Sequence, residues 1–119
     1  LVQAARRHSR EMVDLKYFAH ESPTPSEKSH VNRMRNAGYK DAYSENIAMG
    51  TTSGEKAFWM WFGSPPHHKN MCSRASAIGI GRWKNHWTQN MGRGKRLLLL
   101  PPDERAAITP TGDLLAPER

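Results

Sequence analysis

Ala77-Ile78-Gly79-Ile80-Gly81-Arg82-Trp83-Lys84-Asn85-His86-Trp87-Thr88-Gln89-Asn90-Met91 is the stretch on which the fold turns. β-Branched and aromatic residues recur on both sides of the polar Lys84-Asn85 region, so the segment predicts two short strands, Ala77 to Gly81 and Trp83 to Met91, joined as a hairpin. Upstream the period changes. Leu1, Ala5, Met12 and Leu15, with His8 between them, mark one face of a helix, while Arg6, Arg7, Arg10 and Glu11 populate the rest. After a loop holding Pro23 and Pro25, Ser26 to Ala37 predicts a second helix, closed at Gly38 where a left-handed cap is usual. Ile47-Ala48-Met49 predicts a buried extended stretch before Gly50. Thr51, Thr52 and Ser53 offer N-caps for a third helix through Ala57, Phe58, Trp61 and Phe62, which Gly63-Ser64-Pro65-Pro66 ends. His67 to Cys72 predicts a short helical segment opened by proline. Helices before and after a small antiparallel sheet make the class α+β, with helices covering the sheet.

A chain of 119 residues is one domain by length, and a single small core must stabilise it. Its character changes near Gly92. All four Trp, all three Tyr, all three Phe and all six His precede that point, whereas half of the eight prolines follow it. Residues 1–92 are therefore predicted to be the folded domain, and 93–119 a Pro-containing tail in which Leu97 to Leu100 forms at most one short strand before Pro101-Pro102. That leucine run falls far short of the roughly 20 apolar residues that cross a bilayer, so no membrane span is predicted. Eighteen Lys plus Arg against 11 Asp plus Glu give a net charge of +7, and a hydrophobic fraction of 37% excludes charge-driven disorder. The basic residues are dispersed and no reader motif accompanies them, so a nucleic-acid partner is not predicted; attraction to anionic envelope polymers explains the charge equally well. Cys72 is the single cysteine and can form no intrachain disulfide; it is expected to be a small buried hydrophobe rather than a catalytic thiol. A start at Leu1 rather than Met suggests an upstream segment, such as a signal peptide, outside this sequence.

His20, Glu45, His67, His68 and His86 are expected at element ends or in loops, where functional groups concentrate. The sequence holds no H-E-x-x-H, no C-x-x-C, no Gly-rich phosphate loop and no G-x-S-x-G, which removes the usual support for zinc-finger, metalloprotease, nucleotide-binding and serine-hydrolase readings. Any site must be assembled from distant segments. His8, on the apolar stripe of the first helix, is expected to be a packed core residue, and Trp59, Trp61, Trp83 and Trp87 are expected to serve core packing rather than a stacking platform.

Six motifs together resemble a known family. Tyr17-Phe18-Ala19-His20, Asn32-Arg33-Met34 through Ala37-Gly38-Tyr39, Ser44-Glu45-Asn46-Ile47-Ala48-Met49-Gly50, Trp61-Phe62-Gly63-Ser64-Pro65-Pro66-His67, Ile78-Gly79-Ile80-Gly81 and Trp87-Thr88-Gln89 follow the order and spacing of the bacterial branch of the CAP superfamily, the SCP/PR-1-like domain of Cys-rich secretory, antigen 5 and pathogenesis-related 1 proteins. The resemblance covers residues 1 to about 92. It implies an α-β-α sandwich from which the family's first helix is missing, leaving an apolar groove partly uncovered.

The family's cleft carries two His and two Glu. On this chain the resemblance implies His20, Glu45 and His67 for three of them, while the position of the second Glu falls on Ser64; His86 echoes the second His only superficially. Two imidazoles and a carboxylate can hold a divalent cation such as Zn²⁺, with Zn–N about 2.0–2.1 Å, so His20 and His67 are the candidate metal ligands. Glu45 is left open as ligand, as outer partner fixing a histidine tautomer, as general base, or as a purely structural hydrogen-bonding group. The resemblance implies a secreted protein, extracellular or in the cell envelope, and a binding module is the expected function. Several eukaryotic relatives bind lipids, which these motifs do not extend to this chain, so a lipid or cell-envelope ligand stands only as a candidate partner. The alternative is a metal-assisted, peptidase-like hydrolase with His20, Glu45 and His67 as catalytic residues.

Overall fold

Residues 1–93 are described by the computed structural model, so the predicted tail, with its strand at Leu97 to Leu100, lies outside the described residues. The elements are α1 (Val2–Asp14), α2 (His30–Asn36), β1 (Ala42–Met49), α3 (Gly54–Phe62), α4 (Pro65–Met71), β2 (Ala77–Trp83) and β3 (His86–Gly92), with a 3₁₀ turn at Pro25–Glu27. The strands form one antiparallel sheet in the order β1-β3-β2. The hairpin closes at Trp83↔His86, with Lys84 in the left-handed region at φ 50°.

The central strand is buried from Trp87 to Gly92 because helices cover both faces of the sheet. On one face α1 lies across β2 and β3, where Ser9 Oγ meets Thr88 Oγ1 at 2.8 Å and donates to the Gly81 carbonyl at 3.0 Å. A methyl group on Gly81 would overlap the backbone of Ala5 and Arg6, and one on Gly79 would overlap Leu1 and Val2. The alternation Ile-Gly-Ile-Gly in β2 thus has a packing cause. Glycines face the helix that must come close, and Ile78 and Ile80 face the other way. On the opposite face Ala57 and Trp61 of α3 pack with Ala48 and Trp87, and the Trp61 indole donates to the Ile47 carbonyl at 2.9 Å. The result is the α-β-α sandwich that the resemblance implied.

Several local expectations are corrected. The second helix does not run unbroken from Ser26: Ser29 starts α2 as a capping box, its hydroxyl accepting from the Asn32 amide while the Asn32 side chain accepts from the Ser29 amide. Its end agrees with the sequence, since Gly38 at φ 90° donates to Arg35 O and Tyr39 donates to Met34 O. The strand expected at Ile47 begins at Ala42, hidden in the sequence by polar Ser44, Glu45 and Asn46. Cys72 is exposed, because it follows the last turn of α4 rather than facing the sheet. Trp61 and Trp87 are core residues, but Trp59 is 56% exposed because it points outward from α3. Trp83 lies under the Arg10 guanidinium, 4.6 Å from its ring centroid. Between α3 and β2 runs an apolar groove of about 470 Å³ lined by Val2, Phe58, Trp61, Met71, Ile78 and Ile80.

Candidate functional site

Glu45 stands in the middle of β1, an edge strand, and not at an element end or in a loop as expected; strand alternation turns its side chain toward α1 and α2 and that of Asn46 toward α4. It is 5% exposed, so its charge has to be met inside the protein. Arg33 of α2 does so, with Nη2 at 2.8 Å from both carboxylate oxygens. Its Nη1 donates to the carbonyls of Glu27 and Lys28 at 2.9 and 3.1 Å, anchoring the guanidinium. The Asn90 amide, oriented so that both its ends are satisfied, donates to Glu45 Oε2 at 2.8 Å and accepts from the Ala5 amide at 3.2 Å. Burial pushes the Glu45 pKa up, but the His20 hydrogen bond, the Arg33 charge and His8 outweigh it and hold the group below the usual carboxylate value.

His20 reaches the same carboxylate from the loop after α1, with Nδ1 at 3.0 Å from Glu45 Oε1. An ionised carboxylate only accepts, so Nδ1 carries the proton and the Nε2 lone pair points away from Glu45. The loop is pinned by Glu11, which accepts from Tyr17 Oη at 2.5 Å, from Ser22 Oγ, and from Thr24 Oγ1 at 3.2 Å. Burial raises the Glu11 pKa, and these hydroxyl donors lower it further than burial raises it.

His67 comes from α4, with Nδ1 at 2.8 Å from Ser64 Oγ, so the residue at the family's second-Glu position contacts this histidine directly. Burial lowers the His67 pKa, and the charge of nearby His20 lowers it further. The backbone of α4 is tied to the sheet by Asn46, which donates to the His67 carbonyl at 3.1 Å and to Gln89 Oε1 at 2.9 Å and accepts from Asn70 at 2.9 Å. His86 pairs with Met49 at the end of β1, away from Glu45 in its middle, and its Nδ1 meets Asn85 Oδ1 at 2.8 Å. His68 contacts the Phe62 carbonyl at 2.8 Å and stacks on the Phe62 ring.

His8 is buried as expected, yet it is more than packing. Its Nε2 lies 2.9 Å from the Ala19 carbonyl and 3.9 Å from Glu45 Oε1, so Nε2 bears the proton. Burial lowers its pKa to about 4, against the opposing pull of Glu45. Sequence reasoning singled out neither Arg33, Asn90, Asn46 nor Asn70. The available signal was Thr88-Gln89-Asn90, a run of uncharged polar residues in the central strand, which burial obliges to find partners.

Among the described residues no group of three or more His, Cys, Asp and Glu is placed to hold a metal ion. Glu45 does not fit as a ligand, because Arg33, His20 and Asn90 occupy its oxygens. The Nδ1 atoms of His20 and His67 are engaged by Glu45 and Ser64, which leaves Nε2 as the ring nitrogen each could offer to a ligand.

A sequence profile of the cysteine-rich secretory protein (CAP) family matches residues 1–91. The chain belongs to the CAP family. The CAP domain is 35% identical over 92 residues to the uncharacterized protein YkwD of Bacillus subtilis, covering 75% of this chain and 35% of that protein. Its fold superposes on an extracellular protein containing an SCP domain from Bacillus anthracis with a TM-score of 0.73 and 30% identity, covering 78% of this chain and 31% of that one. An outer surface protein of Borrelia burgdorferi shares the fold alone, with a TM-score of 0.60 at 12% identity over 78% of this chain and 72% of that one. This CAP domain thus spans about a third of the length of its two Bacillus relatives. No helix among the described residues is long and apolar enough to cross a membrane.

Proposed function

We propose that the domain is an extracellular binding module whose cleft takes a divalent cation weakly between His20 and His67, with Glu45 behind His20 as its orienting partner. The observation that carries this reading is the contact of Arg33 Nη2 with both oxygens of Glu45. A carboxylate neutralised in this way is a poor metal ligand and a poor general base, which favours binding over the hydrolase alternative. Its remaining capacity, accepting from His20 Nδ1, leaves Nε2 basic and aimed outward, the arrangement that carboxylate–histidine pairs give to metal ligands. Similarity to the Bacillus anthracis protein supports the extracellular placement. A bound cation would supply an open Lewis-acid position; the chain's own part is to fix the two rings and exclude Glu45.

The test is thermal unfolding with and without Zn²⁺ at pH 7.5 and at pH 5.5, on the wild type and on His67→Ala. An imidazolium has no lone pair to give, so the expected result is a rise of several degrees for the wild type at pH 7.5 and little change in the other three conditions; at tenfold excess over Kd the linkage is about 1.4 kcal/mol. An equal shift in all four conditions would assign the ion to scattered carboxylates and remove the proposed site.

A further inference from the structure

Glu45 and Asn46 are neighbours on β1, and a strand turns neighbouring side chains to opposite faces of the sheet. The two halves of the cleft hang from them. Glu45 holds the His20 ring on one face, and on the other Asn46 reaches α4, the helix that carries His67. Little else holds the His67 end of that helix to the sheet. It has seven residues, too few to be stable alone, and none of them is buried. Met71 packs at its far end against the cluster of Ala48, Ala57, Trp61 and Trp87. His68 ties it to the Phe62 carbonyl of α3, not to a strand. Ser64 stands at the N-cap but caps no amide, since its hydroxyl meets His67 Nδ1 instead. Asn46, in contrast, is fully buried and its amide is used at both ends. Nδ2 donates to the His67 carbonyl at 3.1 Å and to Gln89 Oε1 at 2.9 Å, and Oδ1 accepts from Asn70 Nδ2 at 2.9 Å. Asn70 follows His67 by three residues and so shares its side of the helix. Asn46 therefore grips α4 at two points around the histidine, while Gln89 of the central strand fixes which way the amide faces.

We propose that Asn46 is the positioning residue for His67, so that the dipeptide Glu45-Asn46 sets where the two imidazoles stand relative to one another from opposite faces of one strand. Asn46 touches no ligand and acts through the backbone of α4. Its consequence for a bound cation rests on the reading of the cleft given above; its effect on His67 does not. A histidine on a short, unburied helix moves with that helix, and two ligands that do not keep their separation bind a cation little better than one.

The experiment is histidine-ring NMR of the full chain and of Asn46→Ala and Asn70→Ala, first without metal and then with Zn²⁺ titrated in. Without metal, the His67 ring resonances are expected to leave their wild-type positions in Asn46→Ala, while the His20 ring keeps its shifts and its Nδ1–H tautomer because Glu45 is untouched. With Zn²⁺, the Kd is expected to rise about tenfold or more in Asn46→Ala, the usual effect of removing a group that orients a ligand. In a background of His67→Ala the same substitution should change the Kd no further, since an anchor that acts through His67 then has nothing to hold. Asn70→Ala alters a half-buried side chain and keeps the test open if Asn46→Ala does not fold; it should give the same pattern with a smaller amplitude. His67 resonances that stay in place in both variants overturn the proposal. So does a His20 ring that moves as far as His67, which would make Asn46 a general support of the core, or a further loss of affinity in the His67→Ala background. A wild type indifferent to Zn²⁺ would remove the cation reading alone, and the metal-free spectra would then decide on Asn46.

Discussion

Replacing Arg33 by methionine is expected to destabilise the domain by about 3–5 kcal/mol, a large share of the roughly 5–15 kcal/mol that holds a small domain together. The cost is that of an abandoned charge. Arg33 and Glu45 are 3% and 5% exposed, so water cannot replace the guanidinium once it is gone. The carbonyls of Glu27 and Lys28 lose their donor as well. Urea unfolding gives the number. Because the penalty sits in the orphaned carboxylate, adding Glu45→Gln to Arg33→Met should restore stability relative to the single variant, by more than 1 kcal/mol if the pair is coupled as drawn. A single variant within 1 kcal/mol of wild type, or a double variant worse than the single, would contradict the pairing.

Acid should weaken the fold well before ordinary carboxylates titrate. His8 has a native pKa of about 4, against an unfolded value near 6.5, so between those limits the unfolded chain binds the proton that the native state refuses. Its contribution is fully present above about pH 6.5, falls as pH drops toward 4, and amounts to about 3 kcal/mol over the whole window. The groups facing the ring are Glu45 and Glu11, which raise its pKa, and Arg33, which lowers it; burial dominates all three. The lowered pKa of His67 acts in the same direction. The check is urea unfolding at several pH values between 7.5 and 4.5 on the wild type, on His8→Gln and on His67→Ala. His8→Gln should flatten most of the pH dependence while His67→Ala leaves most of it; equal slopes in wild type and His8→Gln would contradict the assignment.

The sandwich was legible where apolar periodicity is set by packing. Ala5 and Met12 are fully buried on α1, and the Gly–Ile alternation of β2 marks its two faces. The first half of β1 was not legible, since a strand carrying Ser44, Glu45 and Asn46 lacks an apolar pattern. These residues are stable there only because distant partners, Arg33, Asn90, Gln89 and Asn70, arrive by tertiary folding. The same reason hid most of the site. His20 and Glu45 were found through motif resemblance, whereas Arg33, which decides the chemistry of Glu45, stood inside one of the same motifs with no role that the sequence alone could give it. Trp59 was misplaced because a tryptophan in a small domain is normally core, and nothing local distinguishes it from Trp61 two residues on.

The central claim is that Glu45 stays paired with Arg33 and orients His20 with Nε2 free. Long-range proton–nitrogen NMR of the histidine rings at pH 7.5, recorded with and without Zn²⁺, tests it most directly. The account predicts an Nδ1–H tautomer for His20, with Zn²⁺ moving the Nε2 resonances of His20 and His67 while the His20 Nδ1–H and the Glu45 carboxylate carbon stay in place. An Nε2–H tautomer for His20, or a Zn²⁺-induced shift of the Glu45 carboxylate carbon as large as those of the histidine Nε2 atoms, would contradict it.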